Sequence, residues 1–410
     1  MALPSRHIWL SLCLLTVLFA GCRKQITASS FSLDNGLRIE LLATPQGDRA
    51  ALALLFDVGA DHDPPGRSGM AHLVQYVMQA QLGGDWRGRT GADYTLQTVV
   101  APTGRILDEI DAAALRMSHP LVTDSDLARE RSRLVSDLAA QQEGDALAVA
   151  MFRAAEAVRP SRGGGLRGGV VKELTAITAN DVDAFRRMHY GAATARLVIA
   201  GHIDVAETTR RVREGFASIT PGAMPAARPP AASSVTGTLV MGDAPTAAAL
   251  AVPAPAPKDP LYPAFLALAA RLTGPAEAAR PWKAEFDPLA GPDILFVTAT
   301  LTPTPTQPAE PAAARMREQV KAVVAAPLAP DEPARVIERF GAALGLSPPT
   351  PDSLAAGPGE AVVAAARRAQ LGIDGTALLK ALGTIAPDQM TAAAALFDAK
   401  SSAAVVAGGK

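Results

Sequence analysis

The octet Gly69-Met70-Ala71-His72-Leu73-Val74-Gln75-Tyr76 sets a histidine, a glutamine and a tyrosine in the spacing H-x-x-Q-Y. With Glu and His in the last two places, two imidazoles on one helix would bind a zinc ion. The carboxylate would then take a proton from the metal-bound water. Gln75 is neutral at every pH, so the general-base contribution, about 10²–10⁴ in rate, goes with it. Tyr76 offers a phenol that ionises only near pH 10, where a zinc site needs a neutral imidazole. The spacing of a hydrolytic zinc site is kept; its base and one of its ligands are replaced.

Apolar residues Met70, Leu73, Val77 and Ala80 recur at helical spacing, which predicts a helix from Ser68 to Leu82 after the Asp63-Pro64-Pro65-Gly66 loop. On it His72 and Tyr76 share one face, with Gln75 beside them. Upstream, Phe31–Leu42 reads as two short strands around an Asn35-Gly36 turn, and Ala50–Val58 as a buried strand. Downstream, Gly83-Gly84 ends the helix and Tyr94–Val100 alternates as an edge strand closed by Pro102. Helices are predicted over Ile106–Met117 and Asp124–Gln142, the second capped by Thr123 or Asp124 and carrying Glu130 and Asp137 on related faces. The Gly-rich run at 162–169 lacks the Gly-Lys-Ser/Thr end of a phosphate loop and reads as a plain loop. A helix over Thr178–Tyr190, a strand over Ala195–Ala200 and a helix over Val205–Phe216 follow.

Pro221–Pro230 has no periodicity and reads as a linker, after which the order of elements restarts. Strands at Thr238–Met241, Ala247–Val252 and Ile294–Thr300 are interleaved with helices at Leu261–Leu272 and Ala312–Ala325. Helices at Ala361–Leu371 and Pro387–Phe397 lead to a last strand, Ser402–Val406. That order predicts an internal duplication: residues 31–216, a linker at 217–236, and residues 237–410. The fold class expected is α+β, two similar α/β halves, each a mainly antiparallel sheet covered by helices.

At 410 residues the chain exceeds one ordinary core. Its formal net charge of −1 gives no electrostatic case for nucleic acid, so no such partner is expected. Apolar residues make up 49% of the chain but aromatics only 4%, which points to Ala-rich helices lying close on sheets. Arg6 and His7 precede an apolar run from Ile8 to Ala20, shorter than the ~20 residues that span a bilayer, so residues 1–21 read as a signal peptide. The run ends Phe19-Ala20-Gly21-Cys22, which resembles a lipobox with Cys22 as the lipidated residue. Arg23 and Lys24 follow in place of the aspartate that retains lipoproteins in the inner membrane. The expected location is the cell envelope, as an outer-membrane lipoprotein facing the periplasm. Cys13, the only other cysteine, lies in the signal run, leaving no pair for a disulfide.

The first half resembles the pitrilysin/insulinase family of inverted-zinc metallopeptidases, in its short type built from two similar halves. The matches run in order: Leu33–Arg38, Asp63-Pro64 with Gly66 and Gly69, Ala71-His72, Gly83-Gly84, Thr90, Asp93 and Thr95. They continue with His119-Pro120, Glu130-Arg131, Thr178 with Asp181, Tyr190 and Val198–Gly201. The resemblance implies that the halves form a bowl. It also implies a third ligand seven residues after the Glu of the Glu-Arg pair, which here is Asp137. The implied site is thus His72, Tyr76 and Asp137 at the ligand positions and Gln75 at the base position. No tight metal binding and no cofactor are expected of that set. His72 is expected to be hydrogen-bonded in the old cleft, and Asp137 solvated or Arg-paired. Relatives carry an Arg and a Tyr that grip substrate backbone; Arg280 falls near the first and reads as a surface residue, while Asp293 stands at the second.

The function expected is a catalytically inactive metallopeptidase-family homologue, lipid-anchored in the envelope. It would act as partner subunit of an active homologous peptidase or as a peptide- or protein-binding module. One alternative is a divergent zinc metalloendopeptidase, for which zinc would be the cofactor. Another is a structural subunit of an envelope complex.

Overall fold

The computed structural model describes residues 25–118, 122–143, 145–160, 169–225, 237–241, 245–275, 280–290, 294–301 and 309–408. The signal segment with Cys22, His119-Pro120, residues 162–168 of the Gly-rich run, residues 226–236 of the expected linker, and Asp293 lie outside the described residues.

Two sheets organise the chain. The first holds β1 (Thr27–Ser32), β2 (Arg38–Ala43), β3 (Arg49–Phe56), β4 (Arg87–Thr90), β5 (Thr95–Pro102) and β6 (Ala195–Gly201), in the order β1-β2-β6-β3-β5-β4. The second holds β7 (Gly237–Met241), β8 (Pro245–Pro253), β9 (Lys283–Glu285), β10 (Ile294–Thr300) and β11 (Ala403–Gly408), in the order β7-β11-β8-β10-β9. Apart from β1, the two orders superimpose strand for strand. So do the polarities: β2 with β6 and β7 with β11 are the parallel pairs, and the other neighbours are antiparallel. β1 is joined to β2 by the expected turn, where Gly36 takes φ +90 and its bare Cα lies against Ala193. The strand expected at an edge, β5, is second from it. The true edge is β4, whose Arg-Gly-Arg-Thr carries no strand signature of its own.

The helices of the first half are α1 (Met70–Leu82), α2 (Ile106–Ser118), α3 (Asp124–Glu143), α4 (Ala146–Val158), α5 (Val171–Ala176), α6 (Ala179–His189) and α7 (Val205–Phe216). Those of the second are α8 (Tyr262–Leu272), α9 (Ala309–Val324), α10 (Glu332–Leu344), α11 (Pro351–Ala356), α12 (Pro358–Leu371), α13 (Gly375–Leu382) and α14 (Pro387–Ala394). One core packs Leu52, Leu54 and Phe56 of the first sheet against Leu73, Val74 and Met78 of α1 and Ile110 of α2. Its counterpart packs Leu250 and Leu295 against Phe265 and Leu268 of α8 and Phe340 of α10.

The other face of each sheet is covered by a helix from the opposite half. Ala150 and Ala154 of α4 lie on Ala249, Ala251 and Val405 of the second sheet. Val362, Ala365 and Ala366 of α12 lie on Ala51, Ala53, Leu55 and Val198 of the first. Alanine on both sides lets helix and sheet close up, and a larger residue at Ala150 or Ala365 would overpack the contact at about 1–3 kcal/mol. Arg367 fastens the exchange. Buried on α12, it lies 3.8 Å from the Tyr94 ring centroid and donates through Nε to Leu289 O at 2.8 Å, so it touches both halves. Residues 217–225 also pack on the first half: Ala192 N–H donates to Thr220 O at 2.9 Å and Ala223 N–H to Met188 O at 2.7 Å.

Candidate functional site

The helix that carries the motif starts at Met70, two residues later than predicted, because Asp63 holds its N-terminus. The Asp63 carboxylate is buried and accepts from Gly69 N–H at 2.6 Å and Ala71 N–H at 2.8 Å, the cap that the helix lacks from its own Gly69. From there α1 runs over the first sheet with α3 beside it, which brings Tyr76 and Asp137 together across 61 residues of sequence.

Tyr76 Oη donates to Asp137 Oδ2 at 2.5 Å. Burial, and then the Asp137 carboxylate, push the phenol well above its usual pKa, so it stays a neutral donor at neutral pH. The Arg133 guanidinium sits 5.2 Å from the centroid of the Tyr76 ring. Glu130, one turn before Arg133, is buried; its Oε1 accepts from Arg129 Nε at 2.8 Å, its Oε2 is 3.9 Å from Arg133 Nη1, and Oε2 makes no hydrogen bond. Asp137 was expected to be solvated or Arg-paired; it is paired with a tyrosine hydroxyl instead. The third-ligand position and the second-ligand position are bonded to each other.

His72 differs from expectation too. Its Nδ1 is buried without a hydrogen-bond partner, and burial pushes the imidazole down to about 4, so the ring is neutral at neutral pH. Gln75 is buried and faces β4. Its Nε2 donates to Gln79 Oε1 at 3.0 Å, and its backbone carbonyl accepts from Gln97 Nε2 at 3.0 Å. Gly88 gives it room: a Cβ there would collide with the Gln75 carboxamide. A carboxamide in that place supplies hydrogen bonds and no base. Among the described residues no three His, Cys, Asp or Glu side chains are grouped so as to hold a metal ion.

The other histidines among the described residues serve locally: His62 Nδ1 accepts from Gly59 N–H at 3.1 Å, His189 Nδ1 meets Ala223 O at 2.8 Å and His202 Nδ1 meets Gly47 O at 2.7 Å. Arg280 is not a plain surface residue. It lies 4.8 Å from the Trp282 ring centroid and donates through Nη1 to Leu272 O at 3.0 Å, closing the end of α8. A cavity of about 610 Å³ opens there, lined among others by Thr273, Arg280, Lys283, Arg335 and Arg339, and no residue of the α1 motif lines it. Arg133, Gln79 and Gly88 complete the α1 site and were not anticipated. The one signal for Gln79 was its place one turn after Gln75.

Known proteins resemble this chain in sequence and fold. A family model described as the Peptidase M16 inactive domain matches residues 176–340. An uncharacterized zinc protease of Streptomyces coelicolor is 24% identical over 229 residues, 50% of this chain and 48% of that protein. Protease 3 of Escherichia coli is 23% identical over 208 residues, 46% of this chain and 22% of its own length. The matches thus span about half or less of these curated relatives. Among solved structures, a protease from Helicobacter pylori superimposes with a TM-score of 0.73 at 16% identity, over 93% of this chain and 99% of that one, a likeness of fold.

Proposed function

This chain is a homologue of the M16 zinc peptidases, and we propose from that premise that it is a catalytically silent one, acting in the cell envelope as partner subunit of an active homologous peptidase. The Tyr76–Asp137 hydrogen bond carries the reading. Two of the three positions that would hold zinc satisfy each other, and the phenol is held in the protonated form that cannot serve as an anionic ligand. The residues present do not fit a zinc ion: one neutral imidazole and one carboxylate already accepting a proton donor fall short of three protein ligands. Gln75 cannot take a proton from water, so hydrolysis has no base even if a metal were lent to the site.

What such a chain keeps is its surface. The exchanged helices and the two duplicated sheets do not depend on the metal site, so loss of the chemistry leaves the scaffold able to pair or to hold a peptide or protein. Lipidation at Cys22 would hold it at the membrane facing the periplasm, and Cys22→Ser should abolish incorporation of labelled palmitate.

The test is peptide cleavage by this chain alone, by an intact H-x-x-E-H homologue alone, and by the two co-expressed. Activity is expected only where the intact homologue is present, with a higher rate in the co-expressed pair. Cleavage by the isolated chain that disappears in His72→Ala would overturn the proposal.

A further inference from the structure

Among the described residues β4 is the outer strand of the first sheet, paired only with β5. An outer strand exposes a row of backbone donors and acceptors on which another chain can add. The register says which groups face outward. Gly91 N–H donates to Tyr94 O at 2.8 Å, and antiparallel pairing alternates from that pair. Opposite Leu96 and Thr98, Arg89 and Arg87 turn their amides to β5; Gly88 and Thr90, opposite Gln97 and Thr95, turn theirs away, and so does Trp86.

Gln79 meets two of the outward groups, at the start of the strand. Its Oε1 accepts from Gly88 N–H at 3.1 Å, and its Nε2 donates to Trp86 O at 3.3 Å. One carboxamide therefore offers the acceptor and the donor that one residue of an added strand would offer at the same place. Gln75 steadies it by donating to the same Oε1 at 3.0 Å, and Gly88 leaves space for both side chains. Arg87 Nη1 adds a second donor to Trp86 O at 3.0 Å.

We propose that Gln79 is a built-in cap on the β4 edge, an autoinhibitory contact that must swing away before an extended peptide can pair with this strand. The contact lies one turn beyond the motif and does not depend on whether the site binds metal, so it goes beyond the proposed function. It also gives Gln75 a second use, as the brace of the cap.

The experiment compares the full chain with Gln79→Leu by two readouts. The first is amide hydrogen exchange resolved at Gly88 and Arg89. The second is the anisotropy of a fluorescein-labelled decapeptide of alternating Thr and Glu, whose carboxylates would face the exposed Arg87 and Arg89. In Gln79→Leu, exchange at Gly88 should rise about tenfold while Arg89, bonded to β5, stays protected, and the decapeptide should bind about tenfold tighter. Unchanged exchange at Gly88, or equal affinity in both proteins, overturns the proposal. Should Gln79→Leu not fold, Gln79→Met removes both hydrogen bonds at similar length and without charge. The same rise in Gly88 exchange and the same gain in decapeptide affinity are then expected; absence of either contradicts the cap. Zinc content and cleavage report separately on the silent site.

Discussion

Removing the Tyr76 hydroxyl while keeping its ring isolates the bond on which the site is built. Tyr76→Phe retains the Arg133 contact with the ring, since that contact is to the aromatic face. It deletes one hydrogen bond to a charged acceptor, worth about 1.5–3 kcal/mol where water cannot replace it. Asp137 is half-buried, so water recovers part of that, and a net loss of about 1–2 kcal/mol is expected. Asp137→Ala removes the acceptor altogether, as an asparagine oxygen would not. In a double-mutant cycle read from urea midpoints at constant m, the two changes together should cost less than their sum by about 1–2 kcal/mol. Additivity within ~0.5 kcal/mol would show that the hydroxyl does not hold Asp137, and the closed-site reasoning would fail.

His72 should make the fold acid-sensitive. Its folded pKa, about 4, lies below the ordinary 6.5, so the unfolded chain binds the extra proton first. Its contribution is complete above pH 6.5 and is lost as pH falls toward 4. Because the residue as a whole is only partly buried, the loss is about 1–2 kcal/mol. His72→Phe should flatten that stretch of the denaturation-midpoint profile; a profile equally steep in the variant would assign the sensitivity elsewhere. Gly88→Ala should destabilise the first half by about 1–3 kcal/mol through its clash with the Gln75 carboxamide. Gln75→Ala in the same chain should restore most of it, and no rescue in calorimetry would mean that Gln75 does not fill that space.

Local pattern carried much of this fold. Periodicity placed the motif helix, Asn35-Gly36 placed the β1–β2 turn, and the repeated order of elements anticipated a duplication that the matching strand orders display. What escaped depended on distant partners. α4, Ala-Leu-Ala-Val-Ala-Met-Phe-Arg-Ala-Ala-Glu-Ala-Val, owes its packing to a sheet formed about a hundred residues later, and no stripe in its sequence announces that. β4 is a strand only because β5 pairs with it. α10 was readable, with Asp331 before it, Pro333 in its first turn and Gly345 after it. At the site, spacing gave His72, Gln75 and Tyr76. Asp137 came only from the resemblance to a family, and its bond to Tyr76 required the packing of α1 on α3. The missing partner of His72 Nδ1 is a three-dimensional fact with no trace in spacing, and the spacing that sets Gln79 one turn after Gln75 says nothing of its bonds to the sheet edge.

The zinc content of the purified full chain, after exposure to equimolar zinc and dialysis at neutral pH, bears most directly on the silent-site reading. Far less than one zinc per chain is expected, with stoichiometric uptake only when the two ligand replacements, Tyr76→His and Asp137→Glu, are combined. One zinc per unmodified chain, lost in His72→Ala, would contradict it.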